Sequence, residues 1–199
     1  MFQLVVKLSR TRVNYWLEPA LDGALVWALL AEGLRRHVPV PLAALLFPAG
    51  LFVFSFMEYI VHRWVFHGPL QTFARGHAAH HRQPRGYDAL PFFVPALVLA
   101  AVIGLCALWM PAPDALVLAS GIALGYVAYG ICHFAIHHRR FRHPFLRGWA
   151  ARHHVHHYHP DRNYGVTSAL WDALLGTRYV RLRSHSSASA RSAGDTSTR

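Results

Sequence analysis

The sequence predicts an all-α integral membrane protein, with about four transmembrane helices and a histidine-rich helical cap on the cytoplasmic side. Hydrophobic residues make up 54% of the 199 residues and charged residues only 15%. The apolar residues gather into uninterrupted runs, several near the roughly 20 helical residues that cross about 30 Å of hydrocarbon. Most of the sixteen histidines lie beside the ends of those runs. A mean hydropathy of +0.23 excludes a disordered chain and disfavours an ordinary soluble domain. The 20 Lys plus Arg against 9 Asp plus Glu give a net charge of +11, and the basic residues flank the apolar runs instead of forming one polar face. That pattern belongs to a membrane protein with a basic cytoplasmic side, so no nucleic-acid partner is expected. Cys106 and Cys132 sit in apolar runs without Cys-x-x-Cys spacing, which points to neither a disulfide framework nor a zinc finger.

The stretch up to Trp16 opens with too few apolar residues for a signal-peptide core and has no small-residue cleavage site after it, so its removal is not expected. A weak first segment covers residues 21–34, short and interrupted by Asp22 and Glu32; a tilted span and a re-entrant piece both fit it. The second runs over residues 42–57 and continues as a helix to His67, where Gly68-Pro69 stops it. A helix over residues 42–67 is about 39 Å long at about 1.5 Å per residue, so its histidine end projects beyond the lipid. Residues 91–110 form the strongest run, without a charge. After a turn at Pro111 and Pro113, residues 115–132 are again uncharged, and the helix carries on through His138 until Pro144 closes the region.

Arg63, Arg75, Arg82 and Arg85 lie between the second and third spans, and Arg139, Arg140, Arg142, Arg147 and Arg152 follow the fourth, whereas residues 111–114 carry no basic side chain. By the positive-inside rule the arginine-rich segments are cytoplasmic, and Lys7, Arg10 and Arg12 place the N-terminus there too. Arg35, Arg36 and His37 run against this scheme. Residues 1–183 are expected to form one membrane-embedded domain, and residues 184–199, rich in Ser, Ala and Thr, a disordered tail.

With the spans placed, the histidines sort onto one side. His133 and His137, four apart on a helix, project from one face and can share a metal. His77, His80, His81 and His153, His156, His157 repeat one spacing, three and then one, which makes each triad a compact chelating unit. His62 and His67 are five apart and do not align on a regular helix; a distorted helix end and ligation of two different metals both fit. Ten imidazoles exceed the four ligands of a structural zinc, so two metals fit the count better, and imidazole suits iron, copper, zinc and nickel alike. Glu58, one turn before His62, and Asp161, just after the last histidines, are candidates to accept a ligand imidazole N–H. His138, His154 and His159 sit beside the clusters as second-layer or spare groups. His37, His143 and His185 read as ordinary surface histidines. Trp64, Phe66, Trp109, Trp149 and Tyr158 lie near span ends, where aromatic belts form. Asp172 reads as a capping residue or a salt-bridge partner and not a base, and Arg63, Arg82 and Arg152 are the arginines available to an anionic head group.

The order His62-x4-His67, His77-x2-His80-His81, His133-x3-His137, His153-x2-His156-His157, followed by Asn163-Tyr164-Gly165-Val166-Thr167-Ser168, Leu170-Trp171-Asp172 and Gly176-Thr177, resembles the fatty acid hydroxylase (sterol desaturase) superfamily, and within it the membrane domain of fatty acid 2-hydroxylases. The likeness covers residues 41–183. It implies a multi-pass membrane di-iron monooxygenase whose two iron ions are held by those ten histidines, with zinc able to replace iron in a purified protein. The expected reaction inserts one oxygen atom from O2 into a fatty acyl chain, at carbon 2. Electrons are expected from a separate protein, a cytochrome b5-like protein or a ferredoxin, because no His-Pro-Gly-Gly heme motif occurs. Sterol and carotenoid hydroxylases have similar histidine boxes, while Gly165-Val166-Thr167-Ser168 favours the acyl branch. In a different class, a metal transporter would place polar groups at mid-membrane, and residues 91–110 have none. A zinc hydrolase would need a set such as His-Glu-x-x-His, which is absent.

Overall fold

The computed structural model describes residues 7–87 and 89–181, and every regular element among them is helical. The expected tail, with His185, lies outside the described residues. The helices are α1 (Arg12–Arg35), α2 (Val40–Ile60), a π-helical segment (Val61–Phe66), α3 (Gln71–Arg82), α4 (Val94–Cys106), α5 (Ala112–His138), α6 (Pro144–Tyr158) and α7 (Leu170–Leu174).

Helix α1 begins at Thr11, whose hydroxyl accepts the Asn14 N–H at 3.2 Å, and ends where Arg35 and Arg36 both pair with Glu32, at 2.7 and 2.6 Å. Its 24 residues extend well before residue 21, where the hydropathy reading starts. The reason is a polar stripe: Asn14, Glu18 and Asp22 recur every four residues and are buried, lowering the apolar average without interrupting the helix. Prolines at the first turn, where a missing N–H costs nothing, start α2, α4, α5 and α6.

Two helices are long and apolar enough to cross a membrane, Val40–Phe66 and Ala112–His138, each of 27 residues. Residues 91–110 have the composition of a third span, yet α4 is only 13 residues, about 20 Å at about 1.5 Å per residue. It begins only after a turn in which the Val94 N–H bonds the Pro91 carbonyl, with Pro95 in its first turn, and at the other end the Leu105 and Cys106 carbonyls close tight turns onto the N–H groups of Leu108 and Trp109.

Helix α5 is central, with α1, α2 and α4 against it. The closest approach is at Gly50 and Gly121: a Cβ on Gly50 would stand 2.1 Å from the Leu118 carbonyl oxygen, and one on Gly121 2.1 Å from that of Phe47. Only glycine allows the two backbones to meet, the small-residue device of helix pairs in lipid. Around this line Val26, Phe54, Leu99, Ala119, Ile122 and Ala123 form the main apolar core. Large apolar side chains also face outward, among them Leu45, Phe52, Leu97 and Leu105, all more than half exposed; a lipid environment satisfies such a surface and water does not.

Gly121→Leu is expected to cost at least the 1–3 kcal/mol (roughly) of an overpacked core, read as a lower unfolding midpoint in detergent or nanodiscs. Gly130→Ala on the same helix, where an added Cβ meets nothing within 4 Å, is expected to leave that midpoint unchanged or raise it.

Candidate metal centre

At one end of α2 and α5 the ten histidines converge as two neighbouring groups of five. His62, His67, His77, His81 and His156 form one; His80, His133, His137, His153 and His157 form the other. Within each group the candidate ligand atoms all lie within 4.8 Å of one another. Nε2 atoms face Nε2 atoms: His62 to His77 at 3.0 Å, His77 to His81 at 3.0 Å and His67 to His156 at 3.1 Å in the first group. In the second, His137 meets His133 at 3.2 Å and His153 at 3.1 Å, and His153 meets His157 at 3.1 Å. The groups touch through His81 and His157, stacked with centroids 4.3 Å apart.

The triads are not single chelating units. From α3, His77 and His81 enter the first group and His80 the second; from α6, His153 and His157 enter the second and His156 the first. Residues four apart differ by only about 40° around a helix, whereas the residue three on lies about 60° to the other side. Each triad therefore straddles two centres, and α3 and α6 stand between the groups.

His62 and His67 fall in the same group, which leaves no need for two different metals to explain their spacing. The π-helical segment solves the alignment: the His67 N–H bonds the His62 carbonyl, five residues back, at 3.2 Å. The wider turn lays the rings over one another, centroids 5.2 Å apart. Single π turns inside α-helices are common at functional sites.

The rings are oriented by backbone carbonyls. His62 Nδ1–H donates to the Tyr164 carbonyl at 2.5 Å and His156 Nδ1–H to that of Arg162 at 2.7 Å. A carbonyl only accepts, so in both rings the proton sits on Nδ1 and the Nε2 lone pair is bare. The loop that carries those carbonyls is itself clamped. The Asp172 carboxylate accepts the N–H groups of Tyr164 and Gly165, both at 2.8 Å, and the Thr177 hydroxyl at 2.7 Å. Glu58 accepts the N–H groups of Val166 at 2.5 Å and Thr167 at 3.0 Å, and also the Thr167 hydroxyl. Asn163 holds a left-handed φ of 54°, tolerable for Asn, while its side chain donates to the Arg152 carbonyl and accepts the Tyr179 N–H.

Glu58 thus accepts no imidazole N–H; it acts one link further out, on the loop. Asp161 is exposed and pairs with Arg162 at 3.2 Å. His138 is exposed and stacks on Phe134, His154 is exposed beside His137, and His159 stacks on Tyr179; none of the three belongs to either group. Phe66 stacks on His77 and Trp149 donates to the Val166 carbonyl, so these two serve the cap instead of an aromatic belt. Of the nominated arginines, Arg63 donates to the Tyr59 hydroxyl at 2.8 Å and lies 5.8 Å from the Tyr164 ring centroid. Asn163, Tyr59 and Thr177 carry no metal-ligand or acid–base signature in the sequence, although Asn163 and Thr177 stand inside the motifs that follow the last histidines.

Burial holds the cap imidazoles neutral. Desolvation, with neighbouring rings adding repulsion, brings His67 down to about 4 and His80 to about 2. It brings His156 and His157 to about 3 and about 4, and lowers His77, His81 and His153 as well. Neutral, oriented nitrogens are what a metal ion requires, and His80 Nε2 is buried with no hydrogen-bond partner. The residues therefore fit two metal ions. A groove of about 710 Å³ opens onto both groups, lined by His81, His137 and His157 together with Arg85 and His154.

Because these folded-state values lie below that of an unfolded histidine, the unfolded chain binds protons first as pH falls. The stability of the metal-free protein is accordingly expected to be intact above about pH 6.5 and to fall as pH drops towards about 4, checked by denaturation midpoints across that window. Asp172→Ala, which releases the loop, is expected to weaken metal binding by about 10–100-fold in a metal titration, whereas His138→Ala leaves it unchanged.

The same chain is similar to proteins of known function. The fatty acid hydroxylase family profile matches residues 47–177. The chain is 29% identical over 178 residues to a dihydroceramide fatty acyl 2-hydroxylase of Arabidopsis thaliana, covering 84% of this chain and 74% of that protein. It is 33% identical over 179 residues to the ceramide very long chain fatty acid hydroxylase of Saccharomyces cerevisiae, covering 84% of this chain and 46% of that protein. With the fatty acid 2-hydroxylase of Homo sapiens it shares 32% identity over 157 residues, 70% of this chain and 41% of that protein. The chain thus spans less than half the length of those yeast and human relatives. The fold matches a solved structure of full-length scs7p, in which only the hydroxylase domain is visible, with a TM-score of 0.76 at 28% identity over 87% of this chain and 69% of that one. The matched segment holds all ten clustered histidines and the loop that orients them, and by it the chain belongs to the fatty acid hydroxylase family.

Proposed function

We propose that this protein is a membrane-bound monooxygenase that hydroxylates a fatty acyl chain, at carbon 2, with two iron ions held by His62, His67, His77, His81 and His156 on one side and by His80, His133, His137, His153 and His157 on the other. The observation that carries the reading is the pairing of two five-imidazole groups in contact at the ends of two membrane-length helices, within a family whose named relatives are acyl hydroxylases. Aliphatic C–H bonds resist acid–base chemistry, so a redox metal is needed; two irons bound there supply the one-electron and dioxygen chemistry that side chains lack. The overall reaction takes up O2, two electrons and two protons, and releases water beside the hydroxylated lipid.

The chain's own residues prepare that site. The Tyr164 and Arg162 carbonyls fix the proton of His62 and of His156 on Nδ1, so that Nε2 points inward before any ligand binds. Glu58 from α2 and Asp172 from the cap hold the carbonyl-bearing loop from two directions. Neutral rings in place of imidazolium remove the repulsion that ten charges would bring to the site. The groove beside His81, His137 and His157 gives an electron-donating protein access to both groups, and an acyl chain reaches the same end from the lipid around α2 and α5. The arginine-rich segments beside this end support a cytoplasmic position for it. Nothing favours the transport reading comparably: the histidines sit at helix ends, and the family match is to hydroxylases.

The test is lipid mass spectrometry of a host expressing the chain with a reductase system, beside His156→Ala and His80→Ala, which remove one imidazole from each group. The expected result is acyl chains one oxygen heavier, with fragmentation placing the oxygen at carbon 2, lost in both variants together with iron; His143→Ala keeps both. Full activity in the two cluster variants would contradict the ligand assignment, and oxygen on a sterol or carotenoid would replace the substrate.

A further inference from the structure

The mechanism makes no use of Glu18 and Asp22, two carboxylic acids buried at 8% and 2% exposure in the contact of α1 with α5. No Lys or Arg lies between Arg12 and Arg35 on α1, nor anywhere on α4 or α5, so no cation of these helices compensates them. Ionisable groups in such an apolar setting are costly and are kept where they work. Glu18 accepts a hydrogen bond from the Tyr126 hydroxyl of α5. From Tyr126 a line of rings leads to the histidines. Tyr126 and Tyr129 lie stacked at 6.5 Å and 24°, and Tyr129 lies on His133 at 5.6 Å and 11°. Residues 126, 129 and 133 share one face of α5 at three- and four-residue spacing, with Phe54 beside both tyrosines at 6.2 and 6.4 Å.

The hydroxyl set against the buried Glu18 carboxyl joins α5 to α1, as polar pairs do between helices in lipid, and it also gives the phenol's proton a place to go. The rings along the line lie in near-parallel planes with centroids 5.6 and 6.5 Å apart, close enough for an electron to step between them; the hydrogen bond at the far end passes a proton. We propose that Tyr126 and Tyr129 are a redox-active pair that reduces the centre when dioxygen has been activated there with no acyl chain to attack, and that Glu18 takes the proton released. This rests on the iron reading above.

The step balances. The oxidant would be O2 activated by iron held at the ten histidines, and it would gain one electron. Tyr126 loses that electron through Tyr129, its O–H bond breaks, and the proton forms a carboxyl O–H on Glu18, which accepts the Tyr126 hydroxyl as a carboxylate; a neutral phenoxyl radical remains. One electron from the external donor and return of the proton restore the phenol. Asp22, one helical turn beyond Glu18, has a buried Oδ2 without a hydrogen-bond partner and is the next acceptor for that proton. The device spares the histidine ligands from oxidation in idle turnover.

The experiment uses the full chain, iron-loaded and reduced, exposed to O2 without lipid and frozen for electron paramagnetic resonance. The expected result is a tyrosyl signal that is absent in Tyr126→Phe and severalfold weaker in Glu18→Gln, and that falls when acyl substrate is added. Tyr126→Phe retains the ring and therefore the packing; it is expected to form product at the wild-type initial rate but to inactivate severalfold sooner after incubation without substrate, with oxidised histidines found by peptide mass spectrometry. A wild-type protein that hydroxylates lipid yet gives no radical dependent on Tyr126 overturns this inference and leaves the hydroxylase reading standing. A chain that takes up no iron overturns both.

Discussion

Burying ten neutral imidazoles in one place is the constraint on which the rest of this structure depends. A ring removed from water loses its hydration at both nitrogens, and the loss is tolerable only where the N–H finds an acceptor and the lone pair finds a cation. For His62 and His156 the acceptors are the carbonyls of Tyr164 and Arg162. Those carbonyls sit on a loop without regular structure, so the loop in turn needs acceptors for its own N–H groups. Asp172 and Glu58 supply them. One side chain comes from the cap and the other from α2, and the same contacts that orient the rings therefore tie the cap to the membrane helices. Gly165 belongs to this logic, since a Cβ there would stand 1.9 Å from the Ser168 carbonyl oxygen.

Much of this was legible in the sequence. Long apolar runs marked α2 and α5, and the histidine spacings marked the ten residues that converge. The five-residue step from His62 to His67 signalled a distorted helix, and the π turn is that distortion. What spacing could not convey was the division of each triad between two groups: it fixes angles around one helix but says nothing of what stands on either side. The imidazole acceptors were hidden for a plainer reason. A backbone carbonyl leaves no mark on residue type, so residue type points to the nearest acids, Glu58 and Asp161, of which one clamps the loop and the other faces solvent. Hydropathy misjudged two elements in opposite directions. In α1 the buried stripe Asn14, Glu18 and Asp22 lowered the average of a helix of 24 residues, whereas residues 91–110 carry a span's composition around a helix of 13.

The two halves of the molecule divide the work of a lipid-directed site. The helix pair α2 and α5, locked at Gly50 and Gly121, keeps apolar side chains outward and delivers four of the histidines at fixed depth. The cap helices α3 and α6, standing between the groups, deliver the other six. An acyl chain stays in the apolar phase while a water-soluble reductant stays out of it, and the proposed metal pair lies where the two can both reach.

The most direct test is to load the purified full chain with iron and locate the metal by anomalous X-ray diffraction. The account predicts two ions, one bound by His62, His67, His77, His81 and His156 and the other by His80, His133, His137, His153 and His157. A single ion, or ions each held by one undivided triad such as His77, His80 and His81, would contradict it.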